Sequence, residues 1–149
     1  MKRGFTLIEL LVVIAIIGVL SAVVLASLNT ARNKGNDAAV KADLDGIRAQ
    51  ATLYYDDHGN YGTNASTASG CGTADTLFTD AKITDQIAAA NAANGTVAEI
   101  TCNVAANGTA YAVSGELITT AGTYYCVDSA GAATTGSTAL GATATSCPS

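Results

Sequence analysis

From Phe5 to Leu28 the chain carries one ionisable side chain, Glu9, in an otherwise apolar run. As a helix at ~1.5 Å per residue this stretch is ~36 Å long, enough to cross the hydrocarbon core of a bilayer. Continued as far as His58, such a helix would be ~81 Å long, too long to be buried in a globule of 149 residues, so half of it must project. Lys2 and Arg3 precede the run and act as the orienting charges of a targeting segment. A secretory signal has a shorter apolar core of roughly 7–15 residues. Val24-Leu25-Ala26 would nevertheless serve as a signal-peptidase site, with a mature start at Ser27, so ordinary secretion stays open.

The helix is expected to continue. Asn29 to Asp57 lacks proline, and Val40, Leu44, Ile47, Ala51 and Tyr54 recur at helical spacing as one apolar stripe. Fewer than three clean heptads argue against a free zipper, so a small sheet of the same chain is the expected cover. Gly59 after His58 is the stop signal. Glu9 is costly in an apolar helix and calls for a partner, headgroup exposure, or the positive end of the helix dipole.

Gly4-Phe5-Thr6-Leu7-Ile8-Glu9-Leu10, following Lys2-Arg3, resembles the signature of type IV prepilins and the related type II secretion pseudopilins. The Tyr54-to-Tyr61 stretch resembles the Tyr-rich helix end of the same proteins. The resemblance implies a leader of residues 1–4, cut between Gly4 and Phe5 by a membrane prepilin peptidase that also methylates the Phe5 amine. It implies that Glu9 pairs with the N-terminal amine of a neighbouring subunit. The partners implied are identical or homologous pilin subunits in a homopolymer, the peptidase, inner-membrane assembly machinery, and membrane lipid before assembly. The chain would cross the inner membrane once and then enter an extracellular filament. Many such helices carry a proline in their second half; here Gly18 is present but the only proline is Pro148, so unwinding at Gly18 is not implied.

The remaining divisions are 5–28, the membrane half of the helix; 29–58, its amphipathic half; and 59–149, a head. The head is rich in Ala, Gly, Thr and Ser and lacks Trp, so its core is thin and needs staples. Residues 60–76 read as a loop and Ile83–Ala93 as a short helix. Val97–Ala105, the turn pair Asn107-Gly108, and Thr109–Leu117 read as a β-hairpin, with Thr123–Asp128 as a third strand. Ser129–Ser149 reads as a low-complexity tail held by Cys147. The expected class is α+β: a long N-terminal helix packed by its second half on a small antiparallel sheet, a pilin-like shaft and head.

Cys71, Cys102, Cys126 and Cys147 contain no C-x-x-C pair and, beyond a membrane segment, read as two disulfides. Four cysteines allow three connectivities. Cys102 and Cys126 fall on strands flanking a central one, ~9–10 Å apart, beyond the reach of a bridge. Cys71–Cys102 with Cys126–Cys147 is favoured, and the crossed pairing stays open.

Twelve acidic against seven basic residues, with no basic stripe, argue against direct nucleic-acid binding. Adjacent Asp56 and Asp57 point apart on a helix end, and His58 has no local orienting partner, so no catalytic set is read and no enzyme, cofactor or metal is expected. Asp128, in an Asp-Ser-Ala-Gly turn, is a weak calcium candidate. Asn64, Asn94 and Asn107 match Asn-x-Ser/Thr, which the composition also explains. The tyrosines are too separated in sequence to argue for electron transport. The leading function is a pilus structural subunit; the alternatives are a secretion pseudopilin and a secreted or membrane-tethered binding domain.

Overall fold

The computed structural model describes residues 5–64, 71–95 and 99–148. Its contacts divide the chain at Asn33/Lys34 into two units. Helix α1, Leu7–His58, contributes to both. In the first unit, residues 5–32 are all exposed. They include a window of mean hydropathy 3.0, long and apolar enough to cross a membrane. Along the same exposed stretch Ser27 Oγ donates to Val23 O at 3.0 Å and Thr30 Oγ1 to Ala26 O at 3.3 Å. These hydroxyls are satisfied by the helix itself, as a lipid-facing helix requires. The helix runs unbroken through Gly18.

The second unit has an α+β fold. Four strands, β1 (Thr101–Val104), β2 (Tyr111–Glu116), β3 (Tyr124–Asp128) and β4 (Ala133–Gly136), form an antiparallel sheet in sequence order. The pleat sorts their side chains. Cross-strand partners share a face, and Cys102 opposes Val113 while Cys126 opposes Ser114, the next residue along β2. The two cysteines therefore lie on opposite faces.

On one face Tyr111, Val113, Tyr125 and Val127 join Val40, Leu44, Ile47 and Ala51 of α1 in the main core. This is the stripe expected from spacing, with Tyr54 at its margin. Gly115 sets how closely helix and sheet approach: a Cβ there would stand 2.6 Å from Ile100 Cδ1 and 3.3 Å from Val40 Cγ1. A short 3-10 turn, Leu77–Thr79, buries Leu77 and Phe78. Helix α2, Ala81–Asn94, adds Ile83, Ile87 and Ala90. Asp80 caps α2 by accepting from the backbone N–H of Lys82 and Ile83. On the other face Ala112, Cys126 and Leu140 form a second, smaller cluster with Ala144 and Cys147.

Three expectations need correction. The tail is more than a low-complexity segment held by Cys147: β4 pairs with β3, and Leu140 covers the outer face of the sheet. The β1–β2 connection is not a two-residue turn. Val104 opposes Tyr111, and Ala105 N–H still reaches Ala110 O at 2.9 Å, so four residues form the tip. A tertiary contact selects this longer loop, because Tyr61 N–H donates to Gly108 O at 2.8 Å. Gly108 has φ +66°, and a Cβ on it would collide with Gly62 O. The first strand begins at Thr101, and Val97 lies outside the described residues.

Candidate functional site

Helix α1 begins one residue after Thr6, and Glu9 stands in its first turn. Glu9 Oε2 accepts from Thr6 N–H at 2.9 Å and from Thr6 Oγ1 at 2.7 Å, while Thr6 Oγ1 accepts from Glu9 N–H at 3.3 Å. This is a reciprocal capping box, which satisfies two backbone donors of the helix start. The Thr-x-x-Glu spacing ahead of an apolar run is the sequence signature of such a box. Within the subunit no cationic group meets Glu9 among the described residues. Phe5 beside it is 83% exposed. Lys2, Arg3 and Gly4, the expected leader charges and cleavage residue, lie outside the described residues.

The site is thus a carboxylate seated at the head of an uncovered apolar helix, one turn from Phe5. Residues 1–25 match the prokaryotic N-terminal methylation motif. The motif spans the Gly4–Phe5 junction, Thr6 and Glu9 together. Relatives extend the likeness. The chain is 45% identical over 62 residues to the type IV wide pilus major component PilA4 of Thermus thermophilus. It is 41% identical over 70 residues to a fimbrial protein of Neisseria meningitidis. It is 36% identical over 62 residues to the type II secretion system core protein G of Dickeya chrysanthemi. These stretches are 42%, 46% and 42% of this chain. The chain spans 47%, 40% and 40% of the relatives' lengths, less than half of each. No solved structure gives a significant match.

The four cysteines pair as Cys71–Cys102 and Cys126–Cys147, with Cα atoms 5.0 and 5.7 Å apart. The favoured pairing is observed, and the pleat gives the stronger reason for it. One bridge lies on each face of the sheet, so neither Cys102–Cys126 nor the crossed pairing is within reach.

Asp128 and His58, also singled out from sequence, make structural contacts. Asp128 is 3% exposed and accepts from the backbone N–H of Ala130 at 2.9 Å, Ala132 at 3.0 Å and Cys147 at 2.8 Å. It fastens the β3–β4 turn to the C-terminal segment, the structural role expected of an Asp in such a turn. Among the described residues no cluster of three or more His, Cys, Asp or Glu is assembled. The His58 ring stacks on Tyr54 at 4.1 Å, and its Nδ1 lies 3.0 Å from Tyr54 O. Asp56 and Asp57 are exposed.

Two kinds of residue escaped sequence reasoning. Asp37 of α1 accepts from Ile118 N–H at 2.7 Å and Thr119 N–H at 3.2 Å, holding the β2–β3 turn. Asp45 accepts from the Tyr125 hydroxyl at 3.0 Å. The fold also brings separated tyrosines together. Tyr61 contacts Tyr55 and Tyr111, each with ring centroids 4.8 Å apart. Tyr111 is 1% exposed, and its hydroxyl has no hydrogen-bond partner among the described residues. Burial, with the neighbouring Tyr61 hydroxyl, pushes the Tyr111 phenol well above its usual range.

Proposed function

We propose that this chain is a structural subunit of a type IV pilus-like extracellular filament, anchored in the membrane by its N-terminal helix before assembly and carrying no catalytic activity. Prepilin peptidase cuts between Gly4 and Phe5, methylates Phe5, and leaves the apolar helix attached. Glu9 then meets the positive amine of a neighbouring Phe5, and identical or homologous subunits cover the apolar helix surface. One observation carries this reading: an exposed apolar helix, headed by a lone carboxylate, inside a match to the N-terminal methylation motif. Leader cleavage outside the apolar run keeps the product membrane-held, and a carboxylate set in an apolar helix gains a counter-charge only on association.

Mass spectrometry of the mature chain, with electron microscopy of sheared surface material, tests it. A start at methylated Phe5 and fibres containing the chain are expected. Gly4→Leu should block cleavage, because the peptidase must approach the backbone closely there; mature-length product from that variant overturns the processing step. A start at Ser27 overturns the filament reading in favour of ordinary secretion. The likeness to core protein G supports a second reading, a pseudopilin subunit of a type II secretion system. Loss of protein export on deletion, with no surface fibres, selects it.

A further inference from the structure

Asn64, Asn94 and Asn107 each begin an Asn-x-Ser/Thr triplet. The fold treats them differently. Asn94 ends α2 and is fully buried. Asn64 is exposed, but its Nδ2 donates to Ala74 O at 3.1 Å and to Asp75 Oδ2 at 3.4 Å. Asn107 is exposed at the tip of the β1–β2 loop. Its Oδ1 accepts from Thr109 N–H at 3.3 Å and from Thr109 Oγ1 at 2.8 Å. Its Nδ2 makes no hydrogen bond to any described residue. The residue between them is fixed by the rest of the molecule: Gly108 N–H donates to Ala105 O at 2.8 Å, and Gly108 O accepts from Tyr61 N–H at 2.8 Å.

We infer that Asn107 is an N-linked glycosylation site, modified by a separate transferase that uses a glycosyl donor with a phosphate-type leaving group on C1. A carboxamide nitrogen is a poor nucleophile because its lone pair is delocalised onto Oδ1. Two donors on Oδ1 stabilise the negative charge that gathers there as a base of the transferase takes a proton from Nδ2, which frees the nitrogen pair for attack. The transfer balances simply. The Nδ2–C1 bond forms, the C1–O bond breaks, the phosphate group leaves with the bonding pair, and Nδ2 yields one proton to a base of the transferase. The hydroxyl at residue 109 is needed for the geometry and is not consumed. A bulky, hydrated sugar at this tip meets no packed surface, since Ala106, Asn107 and Thr109 are all exposed. The assignment does not depend on how the subunit assembles.

The test is peptide mapping by mass spectrometry of the full chain isolated from its own cells. The peptide containing Asn107 is expected to carry a saccharide, and those containing Asn64 and Asn94 to carry none. Asn107→Gln and Thr109→Ala should each abolish the modification, and Thr109→Ser should keep it. A preassembled block of sugars identifies a lipid-linked donor, and a single hexose identifies a nucleotide-linked one; both support the site. An unmodified Asn107, conversion of Asn107 to Asp alone, or a saccharide retained in Thr109→Ala overturns the inference.

Discussion

Thr6 and Glu9 show how one carboxylate can hold two positions in an energy ledger. In the single subunit, Glu9 caps its own helix through Thr6. In the proposed filament it faces a neighbour's amine. The two roles separate by mutation. Thr6→Val removes the hydroxyl half of the box and should cost about 1 kcal/mol of helix start while leaving fibre yield near wild type. Glu9→Val should leave the precursor cleaved and inserted, since valine suits lipid better, yet abolish most fibres. Gel quantification of cell-bound and sheared subunit measures both; normal fibres from Glu9→Val contradict the pairing. Tyr111 gives a second test. Its phenol, with those of Tyr61 and Tyr125, is held above the ordinary range chiefly by burial. The unfolded chain releases these protons from about pH 10 upward while the folded chain retains them, so stability falls as pH rises past that point. Tyr111→Phe should change stability at neutral pH by less than ~1 kcal/mol, because no bond is lost, and should move the alkaline unfolding midpoint upward. Urea melts at about pH 8 and about pH 11 read the difference. Glu9 was legible in the sequence because a charge in an apolar run stands out. Asp37, Asp45 and Asp128 were not, because each looks like an ordinary surface acid until the fold supplies its backbone or phenol partner.

The helix stripe, the Gly59 stop, the short second helix and three of the four strands could be read from periodicity and turn residues. Strand β4 could not, since Ala133-Thr134-Thr135-Gly136 is exposed throughout and has no apolar alternation. What places it is Asp128, whose carboxylate shapes the turn, and the bridge from Cys126 to Cys147 beyond it. That bridge is the element whose removal is most informative. A Cys126→Ser/Cys147→Ser double variant should lose about 3 kcal/mol in the chain-entropy model for a loop of roughly 20 residues. It should also release Leu140 from the outer face, so limited proteolysis should cut the C-terminal segment first. Urea unfolding of the full chain under non-reducing conditions measures the loss, and an unchanged midpoint contradicts it. The same reasoning explains the β1–β2 loop. The Asn-Gly pair marked a turn correctly, but its length was set by Gly108 docking on Tyr61 and Gly62, which no local rule contains.

Taken whole, the chain comprises a unit with no buried side chain among its described residues and a unit with a core on both faces of its sheet. The apolar helix of the first could be read from sequence, because hydropathy defines it and Glu9 is the single ionisable group from Phe5 to Leu28. The second could be read in class and in disulfide pairing but not in its outer layer, which is written in Ala, Thr, Gly and Ser. That outer layer is gripped in a particular way. Asn103 Nδ2 donates to the carbonyls of Gly141 and Ala144, each at 2.8 Å, and Asp128 accepts the amide of Cys147. Apart from Leu140, Ala144 and the bridging cysteine, the clamps touch main chain, which every residue type shares. The side chains at Ser137, Thr138, Ala142 and Thr143 face solvent. A surface held this way is a blank page: its lettering can be rewritten, in charge or in size, while the binding that keeps the page in place stays indifferent to the text.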